Sequence, residues 1–169
     1  MVRYSRNLDG ITACARGNDI RVSYKNTFET ANAIRGMTIG RALTYLNNVV
    51  AKEEIIPYRQ HNKGAGRKSQ CKNVKSVHGR WPEKSCKILI GLIENVKKNA
   101  ESQKVENAEE MILSHVQVNR ATDQRRRTFR AHGRITQFCA HPCHVEIIAR
   151  KNVASVEAAG HAVARPQVE

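Results

Sequence analysis

Residues 112–149 read ILSHVQVNRATDQRRRTFRAHGRITQFCAHPCHVEIIA, and the architecture of the chain turns on this stretch. At its start Ile112, Ser114, Val116 and Val118 alternate with Leu113, His115, Gln117 and Asn119, the period-two pattern of a half-buried strand. At its end Val145, Ile147 and Ala149 repeat the pattern. The 24 residues from 120 to 143 hold few core-forming side chains but contain Arg120, Arg125, Arg126, Arg127, Arg130 and Arg134, with Asp123 as the only acid. Thr128-Phe129-Arg130 and Arg134-Ile135-Thr136 have strand-compatible chemistry, and Gly133 supplies a turn. The reading is a long β-hairpin over 119–144. If the flanking strands simply continue, each arm has about 12 residues and reaches roughly 40 Å at ~3.3 Å per residue. An isolated two-stranded ribbon is marginal in water, and six guanidinium groups repel one another. The ribbon should become ordered when embedded in a polyanion, where guanidinium pairs bidentately with phosphate. A disordered basic loop is the alternative, or a nuclear-import signal, for which Arg125-Arg126-Arg127 is a weak pattern. Duplex DNA stays open as the polyanion at this point. Base-specific reading is disfavoured, because Phe129 is the one aromatic near the tip and no recognition-helix pattern is present.

Outward from the hairpin, the remaining elements form one domain over 1–152. The first 18 residues are polar and basic and read as an extended arm, followed by a short strand over Asp19–Tyr24. Asn26-Thr27-Phe28-Glu29 has the form of a capping box, with Asn26 capping and Glu29 reaching back; that helix ends near Gly36. A second helix runs from Thr38 to about Lys52, with Ile39, Ala42, Leu43, Leu46 and Val50 on one face. Residues 55–82 contain no acid and seven Lys or Arg, and read as a long irregular basic loop. In a small domain such a loop is functional or disordered. Pro82 suits the first position of a third helix, with Glu83 favourable to its dipole. Cys86, Leu89, Ile93, Val96 and Ala100 mark its buried stripe. Residues 153–169 are a short tail expected to fray. The expected fold class is α+β: about three helices packed on a small antiparallel three-stranded sheet, with the hairpin protruding.

Charge bounds the partner. The chain carries 29 Lys and Arg against 15 Asp and Glu, a formal charge of +14, and a compact body with that excess repels itself until something anionic neutralises it. No apolar run approaches the ~20 residues that span a bilayer, and the N-terminus has no apolar h-region, so neither a membrane anchor nor a secretory signal is expected. Five cysteines at irregular spacing are expected to be free thiols; Cys14 and Cys86 read as small packing residues. The aromatic content of 5% argues against a base-stacking surface and for a protein that reads backbone and shape.

Three patterns resemble chemistry and are set aside. Cys139-Ala140-His141-Pro142-Cys143-His144 packs four possible zinc ligands into six residues, but no second clean ligand pair follows. Buried thiols at the end of a β-arm are the plainer reading, and no metal or cofactor is expected. Lys63-Gly64-Ala65-Gly66-Arg67-Lys68-Ser69 lacks the Walker spacing and reads as a flexible RNA-contacting turn. A ribonuclease would need an acid–base pair such as His132 with His141 or His144, and a bare ribbon has no pocket to orient one. No enzyme and no small-molecule substrate are expected. Trp81 either stacks on a base or staples the third helix to the core, and both stay open. His115 reads as a surface or RNA-facing residue.

Several segments carry a family resemblance. Met1-Val2-Arg3-Tyr4-Ser5, Val22-Ser23-Tyr24-Lys25-Asn26-Thr27-Phe28-Glu29-Thr30-Ala31, Ile34-Arg35-Gly36-Met37, Pro57-Tyr58-Arg59, Asn62-Lys63-Gly64-Ala65-Gly66-Arg67 and Gly79-Arg80-Trp81-Pro82-Glu83-Lys84-Ser85 are the weaker part. The strongest are His115-Val116-Gln117-Val118-Asn119 and Arg125-Arg126-Arg127-Thr128-Phe129-Arg130-Ala131-His132-Gly133-Arg134-Ile135, and the set closes with Pro142-Cys143-His144-Val145-Glu146. Over roughly residues 1 to 150 the sequence resembles the eukaryotic form of a universal large-subunit ribosomal protein family, called L22 in bacteria and L17 in eukaryotes. The resemblance implies an α/β domain seated on large-subunit ribosomal RNA near the exit of the nascent-peptide tunnel. It also implies a hairpin that threads through RNA, with its tip on the tunnel wall. Arg127, Thr128, Phe129, Arg130, Ala131, His132 and Gly133 then form the expected tip, and the 55–82 loop matches an insertion of the eukaryotic and archaeal forms. The expected RNA contacts are Arg3, Tyr4, Lys25, Asn62, Lys63, Gly64, Gly66, Arg67, Lys68, Lys72, Arg80 and Trp81, together with the hairpin's Arg120, Arg125, Arg126, Arg127, Arg130, His132 and Arg134. Expected partners are large-subunit rRNA, neighbouring ribosomal proteins and the nascent polypeptide. The expected location is the cytosolic ribosome, with nuclear and nucleolar transit during assembly. The alternative function is an extra-ribosomal RNA-binding or RNA-chaperone protein. Many eukaryotic members end in a lysine-rich tail, and this C-terminus departs from that pattern.

Overall fold

A computed structural model describes residues 4–6, 12–74, 76–105 and 107–151. In chain order its elements are β1 (Thr12–Ile20), α1 (Tyr24–Ile34), α2 (Ile39–Ala51), β2 (Ile56–Pro57), β3 (Gly79–Arg80), α3 (Glu83–Ser102), β4 (Ile112–Arg120), β5 (Arg127–Phe129), β6 (Ile135–Gln137) and β7 (Cys143–Arg150). Three long helices pack on a three-stranded antiparallel sheet of order β1-β7-β4, the α+β arrangement that the sequence predicts. β7 is the central strand, and Cys143, Val145, Ile147 and Ala149 are fully buried toward the helices. Ile34, Ile39, Leu46, Leu89, Ile93, Val96, Met111 and Leu113 complete that core. The predicted stripe of α3, from Cys86 to Ala100, is wholly buried.

Several boundaries differ from the sequence reading, each for a physical reason. The third strand of the sheet is Thr12–Ile20, not Asp19–Tyr24, so much of the expected extended arm over 1–18 is an edge strand. Its inward residues are Ala13 and Ala15, too small to signal a strand on their own, and they let α3 lie close on β1. Residues 4–6 lie against the sheet's other face: Ser5 donates its N–H to both Glu146 carboxylate oxygens (3.0 and 3.2 Å) and its Oγ–H to Oε2 (2.7 Å). Glu146 is only 5% exposed, and these bonds satisfy it there. In β4 a bulge between Leu113 and His115 shifts the register. Leu113, Val116 and Val118 are therefore buried together despite their uneven spacing, while Ser114 donates its hydroxyl to the Ile148 carbonyl.

The capping box is not formed. α1 starts at Tyr24 with Ser23 at its N-cap and no side-chain cap bond. Glu29 instead sits 2% exposed inside the domain and accepts the backbone N–H groups of Arg59 (3.1 Å), Gln60 (3.0 Å) and His61 (2.7 Å). A buried carboxylate needs such donors, and three successive amides supply them. The bounds of α2 follow expectation, since Thr38 Oγ1 accepts from the Arg41 amide and Lys52 closes the helix in the left-handed region. Its buried face is turned, however: Tyr45 and Val49 are buried, while the expected Leu43 and Val50 are only partly so. Pro82 is the N-cap of α3, one residue before the expected position.

The 55–82 segment is folded, against the expectation of an irregular loop. β2 pairs with β3, residues Ser69–Val74 form a 3-10 turn, and Ile55, Ile56, Tyr58 and Cys71 are buried beneath it. Gly79 makes this possible, because a Cβ there would meet Cys71 Sγ at 2.7 Å and Ile55 Cδ1 at 2.8 Å. The Tyr45 hydroxyl donates to the Ile55 carbonyl (2.7 Å), tying the segment to α2.

Candidate nucleic-acid interface

The hairpin leaves the sheet where β4 ends at Arg120 and β7 begins at Cys143. Its arms do not simply continue those strands. Ala121 N–H to Pro142 O (3.1 Å) and a bridge between Gln124 and Ala140 hold the neck. The ladder resumes only at β5 and β6, where Arg127, Thr128 and Phe129 face Gln137, Thr136 and Ile135. The tip is narrower than the expected 127–133: the Arg130 amide bonds the Arg134 carbonyl (2.7 Å), with His132 and Gly133 at φ 58° and 68°. Those two positive angles centre the turn there, which leaves Arg127, Thr128 and Phe129 as strand.

Charge and apolar surface coincide on this ribbon. Arg125, Arg126, Arg127, Arg130 and Arg134 are exposed and have no carboxylate partner among the described residues. Asp123 pairs instead with His141 Nδ1 at 2.8 Å. Phe129, Ile135 and Phe138 are 77%, 54% and 56% exposed, and Arg126 lies over the Phe138 ring at 5.0 Å. Guanidinium groups with free donors beside apolar faces suit a partner that is anionic and also offers flat surfaces.

The other expected contacts divide into three groups. Lys25, Asn62, Lys63, Gly64, Gly66, Arg67, Lys68 and Lys72 are exposed. Arg80 is exposed, but its guanidinium donates to the Gly64 carbonyl and lies 5.8 Å over the Tyr58 ring, so it also braces the loop. Tyr4 and Trp81 pack inward. Burial and a hydrogen bond with Cys14 push the Tyr4 hydroxyl up to about 12, and Trp81 lies against the core with the Lys68 ammonium 5.5 Å over its ring. The stapling alternative for Trp81 is the one this geometry matches. Arg3 lies outside the described residues. His115 Nε2 is 3.1 Å from Ser5 Oγ, on the face covered by the arm.

The structure adds residues that the sequence reading missed. Tyr24 and Phe28 of α1 and His61 of the loop form one aromatic cluster, with centroids 5.4 to 6.1 Å apart. The Arg120 guanidinium sits 5.1 Å over the Tyr24 ring. This cluster joins the hairpin root, α1 and the loop, and the Tyr24 amide bonds the His141 carbonyl. Only half of the signal was local, the aromatics Tyr24 and Phe28 four apart at a helix start, because His61 joins them through the folded loop.

The cysteine–histidine run does not converge. Cys143 is buried, with its thiol raised by burial; Cys139 Sγ accepts from Gln137; His144 Nδ1 accepts the Asp19 amide. Among the described residues no three His, Cys, Asp or Glu side chains are grouped to hold a metal, and no helix is long and apolar enough to cross a membrane. A cleft of about 530 Å³ between α1, α2 and the loop is lined by Glu29, Glu53 and Glu54 among others. Arg41 and Arg59 also line it, with Arg41 paired to Glu54, so the cleft does not present an uncompensated positive surface like that of the ribbon.

Residues 15–150 match the family described as ribosomal protein L22p/L17e. The chain belongs to this family. It is 50% identical to large ribosomal subunit protein uL22 of Theileria parva over 151 residues, covering 88% of this chain and 80% of that protein. It is 52% identical to the uL22 of Suberites domuncula over 135 residues, covering 79% and 70%. Against that of Bombyx mori it is 47% identical over 149 residues, covering 87% and 79%. The matched span includes the whole hairpin and the folded 55–82 segment.

Proposed function

We propose that this L22p/L17e chain is a structural constituent of the large ribosomal subunit, that it binds large-subunit rRNA, and that its hairpin passes through RNA to line the nascent-peptide tunnel. The observation that carries the reading is the ribbon of unpaired arginines projecting from a well-packed body. A ribbon like this contributes little to the body's core, so its side chains are free to neutralise phosphates from several RNA segments. The exposed cations of the loop add further places for phosphate, and in this reading the residues from Arg130 to Arg134 face the growing peptide. The role in this reading is architectural: the ribbon presents exposed arginines and apolar side chains, and its Asp123–His141 pair ties the neck of the hairpin. Neighbouring ribosomal proteins, a cytosolic site of action and nucleolar passage during assembly belong to the same proposal.

The test is assembly. Wild-type chain should co-sediment with large subunits at moderate salt. Arg126→Glu with Arg130→Glu should lower incorporation far more than it lowers the melting temperature of the free protein. Each lost phosphate contact should make the log–log salt dependence shallower by roughly 0.7 to 0.9. Wild-type incorporation of the double variant, with an unchanged tunnel, refutes the role given to the hairpin. Binding to RNA without sedimentation on subunits would point to a free RNA-binding protein.

A further inference from the structure

We infer that Tyr24, Phe28 and His61, flanked by Lys25 and Arg120, form a stacking subsite for one unpaired RNA nucleotide at the root of the hairpin. The inference rests on the RNA-binding reading above and deepens it. Elsewhere in the described chain all aromatic rings but one are already committed. Tyr45 and Tyr58 are buried, Tyr4 packs toward Cys14, Trp81 lies under Lys68 and Phe138 under Arg126, while Phe129 stands alone and exposed near the hairpin tip, with no second ring beside it. Tyr24, Phe28 and His61 are half-buried in mutual edge-on or tilted contact. They are held on three sides, by the core under α1, by the Glu29 carboxylate on the His61 amide, and by Arg120 over Tyr24. Half-buried rings that are already held in place suit a base as a platform, because stacking then costs the protein little ordering.

The surrounding charge selects the ligand. Lys25 follows Tyr24, Arg59 and Lys63 flank His61 in sequence, all three are exposed, and the Arg120 guanidinium lies on the Tyr24 face. Cations interleaved with aromatic faces recognise a splayed nucleotide, its base on the rings and its flanking phosphates on the cations. A paired helix does not present such a base. The 5% aromatic content therefore misled as an average, because this cluster gathers two of the aromatics with a histidine at one place.

The experiment uses the full chain and two probes, single-stranded hexa-adenylate RNA and a blunt RNA duplex of 12 base pairs. Tyr24→Leu and His61→Leu should each weaken binding of hexa-adenylate roughly 5- to 150-fold with an unchanged salt slope, and leave duplex binding near wild type; Tyr24→Phe should restore it. Arg120→Ala should instead make the slope shallower. In the wild-type protein, hexa-adenylate should move the ring-proton resonances of Tyr24 and His61 upfield, a readout that depends on no variant folding. Steep, salt-dependent binding of both RNAs by wild type, with neither leucine variant weakened and no ring shift, overturns the stacking subsite while sparing the RNA-binding reading. Failure of wild type to bind either RNA overturns both.

Discussion

Replacing Glu29 with alanine tests the contact on which the folded 55–82 segment depends. The carboxylate accepts three backbone amides at 2.7 to 3.1 Å while 2% exposed. Hydrogen bonds to a charged group contribute about 1.5–3 kcal/mol each, which would sum to roughly 4–9. The full sum is not reached, because Arg59 and Gln60 are exposed and their amides rehydrate once the turn opens. Opening also returns conformational entropy of about 1–2 kcal/mol per freed residue. The expected net loss is about 2–4 kcal/mol, or a fall in melting temperature of roughly 5–15 °C for a chain of this size. Glu29→Gln keeps one accepting oxygen but sets an amide NH2 against the donors, and should lose roughly half as much. Thermal and urea denaturation measure the loss, and amide exchange locates it: Arg59, Gln60 and His61 should lose protection while Leu89 and Ile147 keep theirs. A loss under about 0.5 kcal/mol with His61 still protected would mean that the carboxylate does not hold the turn.

Gly79→Ala should cost about 1–3 kcal/mol by overpacking, since its Cβ would press on Cys71 Sγ and Ile55 Cδ1; adding Cys71→Ala should recover part of that in the same denaturation series. Cys86 titrates at about 11 in the fold against an ordinary 9.0, raised by burial. A raised acid holds its proton longer in the folded state, so its contribution is whole below pH 9 and is lost between pH 9 and about 11; Cys86→Ala should blunt the alkaline fall in stability over that window. Gly133→Ala places a Cβ at φ +68° and should strain the tip by about 1–2 kcal/mol. Its mark should be faster exchange of the Arg130 amide with an unchanged global melting temperature, and a fall in global stability would show that the ribbon is coupled to the core.

What the sequence made legible was whatever its local pattern and its final environment agreed on. The stripe of α3 and the apolar alternation of β7 predict those elements correctly, and that of α2 finds the helix but only part of its buried face, because burial of one face is both the pattern and the cause. β1 escaped because Ala13 and Ala15 bury no branched side chain, and what qualifies them for the sheet is the closeness of α3. Glu29 misled for the same kind of reason. A capping box is a four-residue pattern, yet three amides some thirty residues away decided where that carboxylate went. In β4 the bulge at Ser114 moved Leu113 to the inner face, and no periodicity encodes a bulge. The arginines of the candidate interface were plain from composition. The Tyr24–Phe28–His61 platform was not, because it exists only once the loop is folded over α1.

The distribution of charge explains how a chain of +14 keeps a compact body. Within that body five carboxylates have partners: Glu54 with Arg41, Glu109 with Lys97, Glu83 with Lys87, Glu146 with Ser5, and Glu29 with its three amides. Exposed pairs of this kind add little stability one by one, but they hold down the local excess of positive charge around the core. Much of the unpaired excess is exported to the ribbon, which makes few contacts with the core. Charges further apart than a Debye length of about 8 Å barely feel one another at physiological salt, so arginines at the tip scarcely destabilise the helices. The cost falls on the ribbon itself, where five guanidinium groups and three large apolar side chains face water together. The RNA partner proposed above would relieve both at once, pairing the charges and covering Phe129 and Ile135, without requiring the body to change. That separation lets one chain fold as an ordinary small domain and still present a charged, partly apolar ribbon of the kind a polyanion would complete.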